Sequence, residues 1–486
     1  MPTPPPRLNP ARPTHARPAH AQPAHARPTP TRLTHARLAS GLRQALHTVL
    51  AEAPRFDPPP NLDLAVVLLP PGAPPVWANV LWSREMPGGW AATIDPHAGP
   101  VRGLRYLADA RRGPEGTSVA WVAGTDWRRL PAAWFPPLAG SGPRRFIAPY
   151  PASLLKLMVA VGVGHLVDTG RADWDEPWPH GPAQGDLAPT IAQWAQPMIE
   201  TSSNEATSSM VALLHARGLI QREGWRPGEP DSGVETANGL HALFAAQGLG
   251  TLRLAQTKPD GGWFNSDGAG VGALQMTAWD TVRLLWRLSE REPDTATSAA
   301  AGTAAGTGNV GSSGASLTSS AEPAADADAI APPAPWLPAG TPPLLSAASR
   351  ARLWQWLGGQ ALHEVLSSTL HAGRPGWTPG IPARLPERWI QADGSVLAAG
   401  TRYPTDVREA QAAADCAFAH KTGTTASYVA DAGRVIALAP GGRRYLIALQ
   451  ATLGSRHAPQ PGLATDWCLP RLGAAIDRFI AAHWPA

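Results

Sequence analysis

Cysteine is nearly missing from these 486 residues, with Cys416 and Cys468 the only two. Two are too few for a disulfide framework, and their spacing suits no cysteine-ligated metal. They read as two small buried thiols, with a single bridge in an oxidising compartment left open. Lysine is almost as scarce: of 41 Lys plus Arg, only Lys156, Lys258 and Lys421 are lysine. A guanidinium does not give up its proton at ordinary pH, so basic proton transfer by a long cationic side chain falls to those three. Tyrosine and phenylalanine are few, at five and seven, and the 20 tryptophans take over their packing role. No apolar run approaches the roughly 20 residues of a membrane span. No apolar segment of roughly 7–15 residues follows the first arginines, so no secretory signal is recognisable.

Glycine and proline are plentiful, at 48 and 54, and they concentrate in two stretches. Residues 1–37 repeat a short Ala-His-Ala-Arg/Gln-Pro unit. His15, His20 and His25 recur at five-residue intervals, which could suggest a metal, but the segment reads as a disordered Pro/Arg/His tail with too little apolar surface to order itself. The second stretch, about 295–335, is nearly all Ala, Gly, Ser and Thr and reads as an insertion in a surface loop. Residues 38–486 are then one domain. The net charge of +4 has its origin in Arg7, Arg12, Arg17, Arg27, Arg32, Arg37 and Arg43, all preceding the first acid, Glu52. The remaining body is close to neutral, which argues against a nucleic-acid partner.

Within the body, Leu42, Leu46, Val49 and Leu50 predict an amphipathic helix from Leu38. LDLAVVLLP, ending at Pro70, predicts a buried strand, and WANVLW and TSVAWVAG (117–124) two more. A last helix is expected from about Pro470 to Trp484.

The chemistry concentrates in three places. After Pro149 and Pro151, an almost wholly apolar run from Leu154 to Val163 predicts a buried helix whose first turn carries Ser153 and Lys156 on one face. A serine hydroxyl needs a nearby base to become a nucleophile, and burial lowers a lysine toward that role. Alone, Ser-x-x-Lys is a common string. Next, Ser202, Ser203 and Asn204 precede a helix carrying Met210, Val211, Leu213 and Leu214, where the plain reading is an N-cap. Last, Lys421, Thr422 and Gly423 stand on or just before the first strand of a hairpin that turns at Pro-Gly-Gly, with Gly423 permitting close approach of a backbone or ligand.

Ser-x-x-Lys, Ser-x-Asn and Lys-Thr-Gly in this order form a set known from class A β-lactamases and penicillin-binding proteins. Over about 140–290 and 343–486 the chain resembles the serine β-lactamase/penicillin-binding (DD-peptidase) family, especially its class A branch; QMTAWDTVRLLWRL is similar to the family's helix after the active-site loop. The resemblance implies an α/β (α+β) fold, with an antiparallel sheet flanked by helices plus an all-α subdomain. It implies that Ser153 is acylated, Lys156 activates it and Ser202 relays a proton. Asn204 would bind the substrate amide, Lys421, Thr422 and Gly423 the carboxylate side, and the N–H groups of Ser153 and Thr424 would form the oxyanion hole. No cofactor or metal is implied. The expected activity is hydrolysis of β-lactams or related amides and esters through an acyl-enzyme. A D-alanyl-D-alanine carboxypeptidase acting on peptidoglycan-derived substrate, or a penicillin-binding sensor with slow or no turnover, are the alternatives. A monomer in a periplasmic or extracellular setting is expected. One departure stands out: LRLAQTKPDGGWFNSDGAGVGALQMT lacks the glutamate with which class A enzymes activate the deacylating water. Asp260 and Asp267 are its only acids, Asp260 being the candidate, and Trp263 there could stack on a ligand.

Overall fold

A computed structural model describes residues 33–52, 60–95, 97–108, 131–181, 188–229, 232–262, 273–289, 341–453 and 467–484, with isolated positions between 111 and 130. Most of the tail, most of TSVAWVAG, Trp263, Asp267 and the 295–335 stretch lie outside the described residues.

The centre is a seven-stranded sheet. Its strands are β1 (Leu62–Leu68), β2 (Val76–Ser83), β3 (Met86–Ala91), β4 (Ala383–Arg384), β5 (Cys416–Thr424), β6 (Val429–Ala437) and β7 (Arg444–Ala451), in spatial order β4-β5-β6-β7-β1-β2-β3. Every pairing is antiparallel, as expected, apart from the two-residue edge strand β4, which pairs in parallel with β5. There the chain crosses over from β4 to β5 through a 3-10 turn, a small hairpin (Val396–Ala398 with Thr401–Tyr403) and a short helix (α8, below).

β1 is buried along its whole length because both sheet faces are covered. Leu62, Leu64, Val66 and Leu68 enter one core with α1 (His35–Glu52) and α9 (Cys468–Ala482). Ala65 and Val67, on the other face, join a larger core with α2 (Lys156–Asp168), α3 (Ile191–Glu200), α4 (Asn204–Ala216), α5 (Gly239–Ala246), α6 (Ala278–Ser289) and α7 (Ala347–Gly358). A short α8 spans Arg408–Ala413. Each large aliphatic side chain so buried contributes about 1.5–3 kcal/mol. Cys416 and Cys468 are free thiols in the α1/α9 core.

α1 begins at His35, earlier than the expected Leu38. Thr34 Oγ1 accepts the Arg37 N–H at 3.2 Å as a cap, and His35 Nδ1 lies 3.1 Å from the Trp77 N–H of β2. Where α1 crosses α9, a Cβ on Gly41 would stand 2.0 Å from Phe479 Cζ, so only glycine admits the ring. On the opposite face Asp63 of β1 reaches the start of α6. Its Oδ2 accepts the Ala278 N–H at 3.0 Å, and its Oδ1 accepts from Asn79 Nδ2 at 2.7 Å. Burial pushes this carboxyl up to about 6.

Between 93 and 148 the described strands form two small accessory sheets. In the second, Leu104–Ala108 pairs in parallel with Arg144–Ala148, which delivers the chain to Ser153. The hairpin predicted around Pro-Gly-Gly is β6–β7, and the Lys-Thr-Gly residues lie on the strand before it, β5. The final helix runs Cys468–Ala482.

Candidate active site

Ser153 lies in a single 3-10 turn, Ala152–Leu155, that runs directly into α2. Ala152 has φ +48°, a left-handed conformation costly for a residue with a Cβ. The strain persists because β5 packs against this turn. A Cβ on Gly423 would stand 2.6 Å from both Pro151 O and Ser153 N, so the glycine lets the strand backbone lie against the serine amide.

α2 is apolar around its circumference, so the Lys156 side chain is 2 % exposed. Its Nζ is surrounded by oxygens: Ser153 Oγ at 3.1 Å, Ser202 O at 2.6 Å, Ser202 Oγ at 3.0 Å and Asn204 Oδ1 at 2.9 Å. An ammonium has three protons for these four oxygens. Burial, helped by repulsion from Lys421, pulls Lys156 down to about 6, so above that pH it is a free base in reach of two serine hydroxyls.

The Ser202–Asn204 loop divides its duties by residue. Ser203 is the N-cap of α4, its Oγ accepting the Ala206 N–H at 3.1 Å. Ser202, at φ +60°, and Asn204 turn their polar atoms to Lys156 instead. The loop is held from behind by buried Glu200. Its carboxylate accepts from Gln196 Nε2 at 3.1 Å and pairs with Arg388 at 2.6 Å, while its carbonyl accepts the Ala361 N–H at 2.8 Å.

Ser153, Lys156, Ser202, Asn204 and Gly423 are thus brought together. Lys421 is fully buried on β5, donates to Thr422 O at 2.7 Å and acts on Lys156 through charge. Strand alternation turns Thr422 to the opposite face from Lys421, and it is 1 % exposed opposite Asp431. Neither therefore offers an open group to solvent. Thr424, at the end of β5, is half-buried, and its Oγ1 has no hydrogen-bond partner among the described residues. Asp260 is exposed. Its Oδ1 accepts the Gly262 N–H of its own turn at 2.8 Å, and its charge acts on His215, in the last turn of α4, whereas Asn204 opens that helix.

Sequence reasoning passed over a buried polar cluster beside Lys421. Asp431 Oδ1 lies 2.7 Å from His420 Nδ1, His363 meets His420 edge-on at 4.5 Å, and Glu364 is within electrostatic range of Lys421. The available signal was an acid, Asp431, at an inward position of an otherwise apolar strand.

No family model matches this sequence, and no curated protein matches it. Solved structures similar to it include β-lactamases, several of them class A, and a penicillin-binding protein. A PBP-A variant caught as an acyl-enzyme with penicillin G is 14 % identical, with 91 % of this chain and 96 % of that chain covered at a TM-score of 0.38. The β-lactamase of Sphaerobacter thermophilus is 12 % identical over 91 % and 97 % at 0.39, and that of Burkholderia phymatum 13 % over 92 % and 99 % at 0.39. Among the described residues, no helix is long and apolar enough to cross a membrane.

Proposed function

We propose that this chain is a serine hydrolase that forms an acyl-enzyme on Ser153 with a β-lactam or a related amide or ester. The observation that carries the reading is the position of Lys156 Nζ, buried and within hydrogen-bonding distance of both Ser153 Oγ and Ser202 Oγ. Lys156 as free base takes the Ser153 proton while Oγ bonds to the acyl carbon. The N–H groups of Ser153 and Thr424 receive the negative charge on the acyl oxygen. As the acyl C–N bond breaks, Ser202 passes the proton from Lys156 to the leaving nitrogen, which restores the neutral amine. Asn204 holds Lys156 and, in this reading, binds the substrate amide. Lys421 supplies positive charge for a substrate carboxylate.

A second reading concerns the fate of the acyl group. Asp260 is occupied in its own turn and coupled to His215, and the loop sequence has no glutamate, which favours slow release and a long-lived adduct. Incubation with a fluorescent penicillin followed by intact-mass measurement tests both. A persistent adduct on Ser153 supports acylation with slow release, and a transient one supports full hydrolysis. No adduct under any condition, or one that survives Ser153→Ala, sinks the proposal.

A further inference from the structure

Glu200 stands two residues before Ser202, in a place where an acid is doubly disfavoured. It is the last residue of α3, where the helix carbonyls repel a negative charge, and it is only 4 % exposed. The proposed reaction gives this buried carboxylate no part.

The groups that offset its cost come largely from outside α3. Arg388, in the 3-10 turn Glu387–Trp389, meets Glu200 Oε1 at 2.6 Å, while Gln196 Nε2 donates to both carboxylate oxygens at 3.1 Å. The ion pair is seated on the backbone of Gly359, whose carbonyl accepts from Arg388 Nη2 at 3.2 Å and from Trp389 Nε1 at 2.9 Å. A Cβ at position 359 would overlap both Arg388 Nη2 and Glu200 Oε1, so the glycine leaves the room in which the two ions meet. The next two residues close the end of α3. Gln360 Nε2 donates to Ile199 O and the Ala361 N–H to Glu200 O, each at 2.8 Å. Arg388 thus ties the crossover between β4 and β5, where Leu385, Val396, Tyr403 and Val407 share a small core, to the point from which the Ser202 loop departs.

The two ends of that loop are held by different elements. Downstream, Ser203 caps α4 and Asn204 is the first residue of that helix. Upstream, the Thr201 hydroxyl and the Ser203 N–H both lean on Pro197 O of α3, with Ser202 kept at φ +60° between them. A shift at the end of α3 therefore reaches Ser202 before it reaches Asn204 or Lys156, which α4 and α2 hold.

We infer that the Glu200–Arg388 ion pair is a positioning strut for Ser202, serving delivery of the proton to the leaving nitrogen rather than activation of Ser153. The assignment rests on the proposed function. In that reaction Lys156 takes the Ser153 proton as the Oγ–C bond forms. As the C–N bond breaks, Ser202 gives its own proton to the nitrogen and receives one from Lys156. A group that leaves as a stable anion needs no such proton.

The test compares Ser153 acylation by a penicillin, whose nitrogen must be protonated, with acylation by an aryl thioester, whose thiolate leaves without a proton. In Arg388→Gln the penicillin rate should fall by about tenfold or more, and the thioester rate should stay within about threefold of wild type. Arg388→Lys should recover part of the loss. Glu200→Gln should show the same selective loss, and the double variant should be no slower than the slower single one, as for two residues acting through one contact. Equal loss for both substrates, or no loss in folded Arg388→Gln, overturns the strut; if that variant does not fold, Arg388→Lys is read by the same criterion. Losses that multiply in the double variant overturn the pairing. Wild type that neither substrate acylates sinks the hydrolase reading and the strut with it, whereas acylated wild type with unselective variants sinks the strut alone.

Discussion

Gly423 and Ser153 are packed so closely that a Cβ on the glycine would stand 2.6 Å from the serine amide nitrogen. The obstruction would be backbone, which cannot rotate aside as the tip of a side chain can. Gly423→Ala must therefore part β5 from the turn that carries the nucleophile. A displacement of about 1 Å at a reacting group costs on the order of 100-fold in rate. Acylation of Ser153, followed by stopped-flow fluorescence, should fall by about that factor while the protein remains folded.

The rate of acylation should trace a narrow bell against pH. Lys156 must be a free base, so its limb rises through about 6, and Lys421 must be an ammonium, so its limb falls through about 7. These limbs are properties of the coupled pair of lysines. A rate that climbs without a break to pH 9 with a carboxylated substrate would remove Lys421 from the reaction.

Lys156→Arg replaces the free base by a permanently charged guanidinium. Acylation should drop by about a thousandfold or more, because guanidinium does not deprotonate here. Lys156→Met adds a stability test. Between about pH 6 and 10 the unfolded wild type binds a proton at Lys156 that the folded state lacks, so wild-type stability gains with rising pH. The Met variant has no such gain at this position. Thermal melts should therefore show wild type improving relative to Lys156→Met as pH rises through that window.

Adjacent serines should separate cleanly. Ser203→Ala removes an N-cap and should cost about 1 kcal/mol of stability with acylation nearly unchanged. Ser202→Ala should do the reverse, lowering acylation by about 100-fold or more. Equal effects of the two on acylation would deny Ser202 a part in proton transfer.

Asp260→Asn should leave both formation and loss of the adduct within about threefold of wild type, since surface changes away from special contacts matter little. A deacylation rate that collapses in this variant would return Asp260 to the water-activating role.

Local patterns made much of this legible. The helical spacing of Leu42, Leu46 and Val49, the apolar run of β1 and the Pro-Gly-Gly turn of β6–β7 all report structure formed by near neighbours. The pairing of Ser153 with Lys156 is local too, three residues on one face. What was hidden depends on distant segments. The early start of α1 needs Trp77, the parallel edge strand β4 is two residues long, and the Leu366 N–H that engages Asp431 comes from a segment with no periodic signal. The opposite facing of Lys421 and Thr422 follows from strand alternation, once the Lys-Thr-Gly residues are placed inside β5 rather than at its mouth.

The union of α1 with α9 bears on how the chain comes to be folded. β1 finds its partner β7 with Leu62 opposite Ala451, and Gly41 finds its cover in Phe479. During synthesis β1 therefore waits, with one edge unpaired, until almost the whole chain has left the ribosome. Nascent chains stalled before α9 should be open to protease and held by chaperones, and release of the last helix should be the event that closes the sheet.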